Sequence, residues 1–292
     1  MASATAPECA NPGAGPEASA LAELNAMISR DNSLLKDASS KEAADPNNPE
    51  LFPRPDMETG IASRLSFLMW AKFDPDKAFR RRKVYWEYRA KLFKDSNGEL
   101  PKADDPRVAT ALALGVAQVP LGFLDRLGRQ VIVVRQSRVD YSVVTPEQVI
   151  QAFWYLLHTA LSDASGDEIN SSSELKNSDR FQGIFVINNL GGVERKHVNR
   201  TTITLLISSI QDVLPVRVGG VRIMNQPWFF SWIWSMISPF LSAKLRSRII
   251  LLGTQHDALL EWLEPTSIPP ELGGLLEWDH AAWLRRQAEI ES

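Results

Sequence analysis

The chain has 292 residues, 44% of them hydrophobic and 23% charged, which is enough for one large or two small globular domains and too apolar for disorder throughout. A single cysteine, Cys9, excludes a disulfide framework and a cysteine-based zinc site, and the four histidines (158, 197, 256 and 280) are too scattered for a metal motif. The net charge of −3 hides a segregation: residues 1–60 and 251–292 are acidic, residues 61–105 are basic, and residues 216–250 hold Arg217, Arg222, Lys244, Arg246 and Arg248 with no acid. Such a stretch argues for an anionic partner, phospholipid or nucleic acid, and is silent about fold.

Residues 1–55, rich in Ala, Pro, Ser, Asn and acids, read as a disordered tail ending in a proline-rich linker, Pro46 to Pro55. No hydrophobic signal segment opens the chain, so the expected compartment is the cytosol. Residues 56–105 read as a small all-helical domain. Ile61, Leu65, Leu68 and Met69 share one helix face, and after Pro75 a second helix carries a looser stripe of Ala78, Val84, Tyr85, Tyr88 and Leu92.

From residue 106 to 276 short apolar runs alternate with helices, which predicts an α/β layered domain. The runs Val131–Val134, Ile184–Ile187, Val221–Met224 and Ile249–Leu252 read as buried strands. Thr145, Pro146 and Gln148 form a capping box ahead of Val149, Phe153, Leu156 and Ala160, and a further helix runs through Ile203, Leu206, Ile207 and Ile210 to stop before Pro215. The Ser, Asp and Asn cluster from Asp163 to Asp179 reads as a loop, and residues 277–292 as a C-terminal tail.

Ile223 to Ala243 is 21 residues without a charge, long enough for a membrane span, yet it contains Asn225, Gln226, Pro227, Pro239 and four serines, and cations flank both ends. Ser231, Ser235, Ser238 and Ser242 fall in one stripe of a helix starting after Pro227, and every other face is large and apolar. A helix apolar nearly all round needs apolar surroundings on both sides. In a globular protein that usually means a core helix. Here Trp228, Trp232 and Trp234 within seven residues, with cations at the flanks, favour a surface helix that touches a hydrophobic cavity on one side and a bilayer on the other.

Catalysis finds little support. There is no GxSxG elbow, P-loop, HExxH, or GxGxxG after a strand; Asp104-Asp105 and Asp167-Glu168 lie in polar loops, and neither His158 nor His197 has a nucleophile placed beside it. The run Arg80-Arg81-Arg82-Lys83 spreads around a helix, so a solvated face is its simplest reading. Nucleic acid is a poorer partner than lipid, because the whole chain is acidic and lacks stacking aromatics among exposed strands.

The string PVRVGGVRIMNQP (Pro215 to Pro227), then PFL from Pro239, RIILLG from Arg248, and IPPELGG from Ile268 to Gly274 resembles the CRAL-TRIO lipid-binding domain family. Phe67 to Asp74, with Lys77-Ala78 and Tyr88-Arg89, is similar to the helical domain that precedes it there, so the resemblance spans roughly residues 60 to 275. It implies a mixed sheet flanked by helices, enclosing an apolar lipid pocket closed by a mobile gate helix at Trp228 to Ala243. The implied floor is Val131, Val133, Ile184, Val186 and Ile223, and the implied gate residues are Trp228, Phe229, Phe230, Trp232, Ile233, Met236, Ile237 and Phe240.

Val216 stands where the phosphatidylinositol-transfer branch has a glutamate, and the chain looks closer to the tocopherol-transfer and retinaldehyde-binding branch. There, basic residues grip phosphoinositide heads; Arg80, Arg217, Lys244 and Arg248 match those positions, and Gly219 stands at a fifth. The family's FLRAR string is reduced to Met69, Trp70 and Ala71, and its Asp after the central strand is Asn188. The resemblance therefore implies a monomeric, cofactor-free, non-enzymatic carrier of a hydrophobic lipid that docks reversibly on anionic membranes. A phosphoinositide sensor or adaptor on the same fold is the alternative. Tocopherol-like, retinoid-like, sterol and phospholipid ligands all remain open at this point.

Overall fold

The computed structural model describes residues 16–39, 62–96, 98–163 and 183–292. The linker Pro46–Pro55, Ile61 and all but the first residue of the Asp163–Asp179 cluster lie outside them.

Helix α1 (Pro16–Ser39) corrects the expectation of a disordered tail for its span. Ala20, Leu24 and Ile28, spaced four apart, are buried against α2 (Arg64–Trp70) and α3 (Pro75–Leu92). Three apolar residues on one stripe are too few to lift a composition average, but they suffice once a receiving surface exists. Arg64 donates to Asn25 Oδ1 at 2.7 Å, and Lys83 pairs with Asp31 at 3.3 Å.

Ser63 caps α2 by accepting from the Ser66 amide, Phe67 and Leu68 are its buried residues, and Lys72 and Phe73 at positive φ (58° and 60°) turn the chain sharply into α3. Asp74 caps α3, with Pro75 at its first position. Ala78 and Tyr85 of the expected stripe are buried, but Val84 is exposed, and Trp86 and Arg89 face inward in its place.

These helices are not an independent lobe, because their core continues into the rest of the molecule. Tyr85 and Tyr88 stack on Trp154 of α5 (Pro146–Asp163) at 5.4 and 5.5 Å between ring centroids, and Tyr85 Oη lies 2.6 Å from His158 Nε2. The Nδ1–H of His158 donates to the Trp154 carbonyl at 2.7 Å, so Nε2 accepts from Tyr85. Burial, with Arg89 nearby, pushes the His158 imidazole down to about 3, so it is neutral. α5 begins with the expected reciprocal cap between Thr145 and Gln148.

After α4 (Ala109–Leu114), the left-handed Gly115 (φ 62°) turns the chain into β1 (Ala117–Gln118). The sheet continues with β2 (Gln130–Arg135), β3 (Ile184–Asn189), β4 (Val218–Met224) and β5 (Ile249–Gly253) in sequential order; β1 is antiparallel to β2 and the other pairs are parallel. Right-handed crossovers in a sequential order send successive helices to one face. That face carries α5 and α6 (Arg200–Ser208), the latter continued by a π-turn at Ser209–Val213. The other face, with Val131, Val133, Phe185, Ile187 and Met224, is covered by Leu259, Leu263, Ile268, Leu272 and Leu276.

The C-terminal segment expected as a tail ends instead in α9 (His280–Glu291), preceded in the chain by α7 (Phe230–Ile237) and α8 (Ala243–Arg246). Trp283 is buried, and Glu291 accepts from Tyr155 Oη and the Ala103 amide, both at 2.7 Å. Among the described residues no helix is long and apolar enough to cross a membrane, and no cluster of three His, Cys, Asp or Glu could hold a metal.

Candidate functional site

The register of the central strands decides which side chains face the helices. Val131 pairs with Phe185 and Val133 with Ile187, whereas Ile132 pairs with Val186 and Val134 with Asn188. Val131 and Val133 therefore point to the opposite face, correcting their expected place in the pocket floor. β2 is apolar on both faces, so its composition does not reveal which alternation is inward, and a one-residue slip exchanges the faces. Ile184 is wholly buried in the main core but lies off the cavity; Val186 and Ile223 do line it.

The cavity measures about 200 Å³. Its floor is Val134, Val186, Asn188, Val221 and Ile223; one wall is Ile203, Leu206, Ile207 and Ile210 from α6 and the π-turn; its cover is Phe230, Ile233 and Ile237 from α7, with Leu241 and Leu245 beyond. Gln136 and Asn188 are the polar members of this lining.

The helix expected from Pro227 to Ala243 breaks within the uncharged segment. α7 gives way to a 3-10 turn at Ser238–Phe240, where Pro239 lacks the amide a continuing helix needs, and Ser242 then caps α8. Phe229 and Ile233 are buried beside Leu190, Val193 and Ile223. Trp228 (86% exposed) and Trp232 (48%) point away, along with Ser231 and Ser235. Met236 and Phe240 are half-buried and outside the cavity lining, and the Arg200 guanidinium sits 5.6 Å from the Phe240 ring. α7 thus presents Phe230, Ile233 and Ile237 inward and the Trp232 indole outward, while Trp234 is half-buried beside Phe230.

Beside the cavity runs a second depression of about 360 Å³. Arg217, Lys244 and Arg248 line it, joined by Trp70 and Lys72 from the end of α2. Arg80 is exposed on α3 and does not line it. No described carboxylate forms a salt bridge with Lys72, Arg217, Lys244 or Arg248. Arg217 donates to the Met69 carbonyl and Arg248 to the Val218 carbonyl. Burial, reinforced by Arg248, lowers the Arg217 guanidinium from its ordinary value. Ile210, Val218 and Leu245 line both the groove and the cavity, so a single layer of aliphatic side chains separates them.

The basic run on α3 divides three ways. Arg81 is buried, stacks on Trp70 at 4.1 Å, and donates to the carbonyls of Gln211, Ile210 and Leu214 at 2.6, 3.3 and 2.7 Å. Burial lowers it to about 10, against the pull of Asp212. It ties the helical region to the end of the π-turn and so fixes one bank of the groove. Arg82 is also buried, Lys83 pairs with Asp31, and Arg80 is exposed on the helix surface. His197 accepts from the Glu194 amide at 2.9 Å, and its carbonyl accepts from Gln136 at 2.8 Å. Both histidines considered as bases therefore have structural hydrogen bonds.

Lys72 is the groove residue that sequence reasoning missed. Its signal was present in the positive charge of residues 61–105, but only the turn after α2 brings it to Arg217. The α6 wall was legible as an apolar helix, with nothing to say that part of its stripe faced a void.

A family model described as the CRAL/TRIO domain matches residues 115–274. The chain is 31% identical over 251 residues to Clavesin-2 of Homo sapiens, covering 82% of this chain and 71% of that protein. It is also 31% identical over 242 residues to Clavesin-1 of Xenopus laevis, covering 80% and 68%. Among solved structures it resembles that described as the crystal structure of Sfh5, with a TM-score of 0.56 at 12% identity, covering 97% of this chain and all of that one; at that identity the likeness concerns the fold alone.

Proposed function

Because the chain belongs to the CRAL/TRIO domain family and is a lipid-binding protein, we propose that it carries a hydrophobic lipid in the cavity beneath α7 and exchanges it at phosphoinositide-containing membranes. The observation that carries this reading is the two-sided placing of α7 and the turn before it, with Phe230, Ile233 and Ile237 on the cavity and Trp228 and Trp232 on the surface. A helix of that form exchanges one apolar environment for another when it swings into a bilayer, so opening it at a membrane costs far less than opening it in water.

The groove supplies the docking charge. Lys72, Arg217, Lys244 and Arg248 face one depression whose described lining holds no acid. Each cation near an anionic bilayer contributes about 1 kcal/mol, reduced by salt. Phosphate heads bound there lie one aliphatic layer from the carried lipid, so docking and opening act on the same Ile210, Val218 and Leu245 wall. Burying roughly 300 Å² of ligand surface contributes about 7 kcal/mol against water but little against a bilayer, which makes release at a membrane easy. The protein then works as a monomer in the cytosol, reversibly bound to membranes, with no catalytic step and no cofactor; membership in a lipid-binding family supports the absence of catalysis.

The test is organic extraction and mass spectrometry of the purified protein against a mock preparation, followed by transfer between vesicles. A stoichiometric lipid that moves faster to phosphoinositide-containing acceptors is the expected result. Protein that binds those vesicles but neither holds nor moves lipid would replace transfer with a sensor or adaptor.

A further inference from the structure

β3 ends in two asparagines whose side chains lie on opposite faces and have opposite fates. Asn189 Oδ1 accepts from the Gly191 amide at 2.9 Å and from Asn225 Nδ2 at 3.0 Å, and Asn225 Oδ1 lies 3.0 Å from His256 Nε2. Asn188 faces the cavity, between Val134 on β2 and Ile223 on β4, both of which line it. Its Oδ1 is shielded from solvent and has no hydrogen-bond partner in the chain. A buried carbonyl oxygen without a donor costs free energy that an apolar residue at the same place would avoid.

We propose that Asn188 is the recognition residue of the cavity, and that the cavity's preferred occupant is a neutral amphiphile: an apolar body bearing a hydroxyl that donates to Asn188 Oδ1. This rests on the lipid-carrying reading above and narrows it to a chemical class. Three features of the lining select that class. An orphaned acceptor calls for a donor, which ranks an alcohol above an ether, an ester or a plain hydrocarbon, none of which can give Oδ1 a hydrogen. Gln136, the other polar lining residue, already commits its amide N–H to the His197 carbonyl. The lining has neither a cation nor a carboxylate, so a fatty acid, a phosphate head or an amine would bury an unpaired charge. Cations do lie close, but in the groove beyond Ile210, Val218 and Leu245. The structure therefore separates a neutral polar contact inside from a charged one outside.

The experiment compares decan-1-ol, its methyl ether and decanoate, loaded into the 292-residue chain from neutral phosphatidylcholine vesicles. Bound probe is counted by mass spectrometry after gel filtration and corrected for vesicle partition. Wild-type protein is expected to prefer the alcohol over the ether by roughly tenfold, the yield of one hydrogen bond to a buried acceptor, and to hold least decanoate. In Asn188→Leu the preference collapses to near unity while ether binding is kept or improved, an outcome that a merely structural role for Asn188 would not produce. Asn188→Ala serves the same purpose if the leucine variant does not fold, and the wild-type comparison needs no variant. Equal binding of alcohol and ether by wild type, or an intact preference in a folded variant, overturns the proposal and leaves the cavity a lipid site. Failure of wild type to bind either neutral probe overturns the lipid-carrying reading and this proposal together.

Discussion

The cavity and the groove share Ile210, Val218 and Leu245 and differ in almost everything else. The cavity is built from strand and helix positions whose side chains are aliphatic because they would otherwise be core, and it exists because α7 stands off the sheet. The groove is built from the ends of elements, where α2 stops, β4 starts and α8 turns over, and its cations are there because chain ends can hold charge in solvent. Under the proposed function the contrast assigns holding a lipid and finding a membrane to separate side chains on one backbone, so substitutions should be able to remove either alone.

The sharpest break should come inside the cavity. Ile233→Asp puts a carboxylate where the side chain is buried, at a cost on the order of several kcal/mol. The expected outcome is loss of co-purifying lipid by more than tenfold, with α7 detached and the rest of the fold intact. A single thermal transition lowered throughout, with hydrogen exchange rising in β3 as well as α7, would mark α7 as ordinary core.

The support beneath both regions is tested by pH. His158 is held at about 3 in the folded chain against an ordinary value of 6.5, so the unfolded chain binds a proton that the folded one refuses. Its stabilising contribution is complete above pH 6.5 and is lost as pH falls from there toward 3, at up to about 1.4 kcal/mol per pH unit. Denaturant titrations between pH 7 and pH 4 should show this slope, and His158→Gln should flatten it. An unchanged slope in the variant would place the acid sensitivity elsewhere.

In the groove, Lys244→Ala with Arg248→Ala should weaken binding to phosphoinositide vesicles by about tenfold at physiological salt and leave lipid content unchanged. Trp228→Ala removes a ring that is 86% exposed; thermal stability should hold while vesicle binding falls severalfold in a sedimentation assay. Arg80→Ala should have the smallest effect, less than about twofold, because Arg80 stands outside the groove lining. An Arg80 effect as large as the Lys244 effect would redraw the docking surface to include α3.

Much of this architecture can be read from the chain. The strands of the parallel sheet, the Thr145 cap and the unusual character of the segment after Pro227 follow from apolar runs, capping chemistry and charge. The inward set of a strand apolar on both faces does not, which is why Val131 and Val133 were expected in the floor when Val134 and Asn188 occupy it. The helix over Pro16–Ser39 was hidden because Ala20, Leu24 and Ile28 become a stripe only when α2 and α3 receive them. The run from Arg80 to Lys83 shows the same limit in charge: identical in sequence character, one member caps a π-turn from within the core, one pairs with α1, and one stays on the surface. Lys72 and Arg217 meet only through a turn at positive φ, which residue spacing does not announce.

The most direct test of the division of labour uses two variants assayed side by side, Ile233→Asp and the Lys244→Ala, Arg248→Ala pair, each scored for extracted lipid and for binding to phosphoinositide vesicles. Opposite losses are expected: the cavity variant empties and still docks, and the groove variant stays loaded and docks poorly. If both variants lose lipid and vesicle binding in parallel, cavity and groove are one site and the separation of roles is wrong.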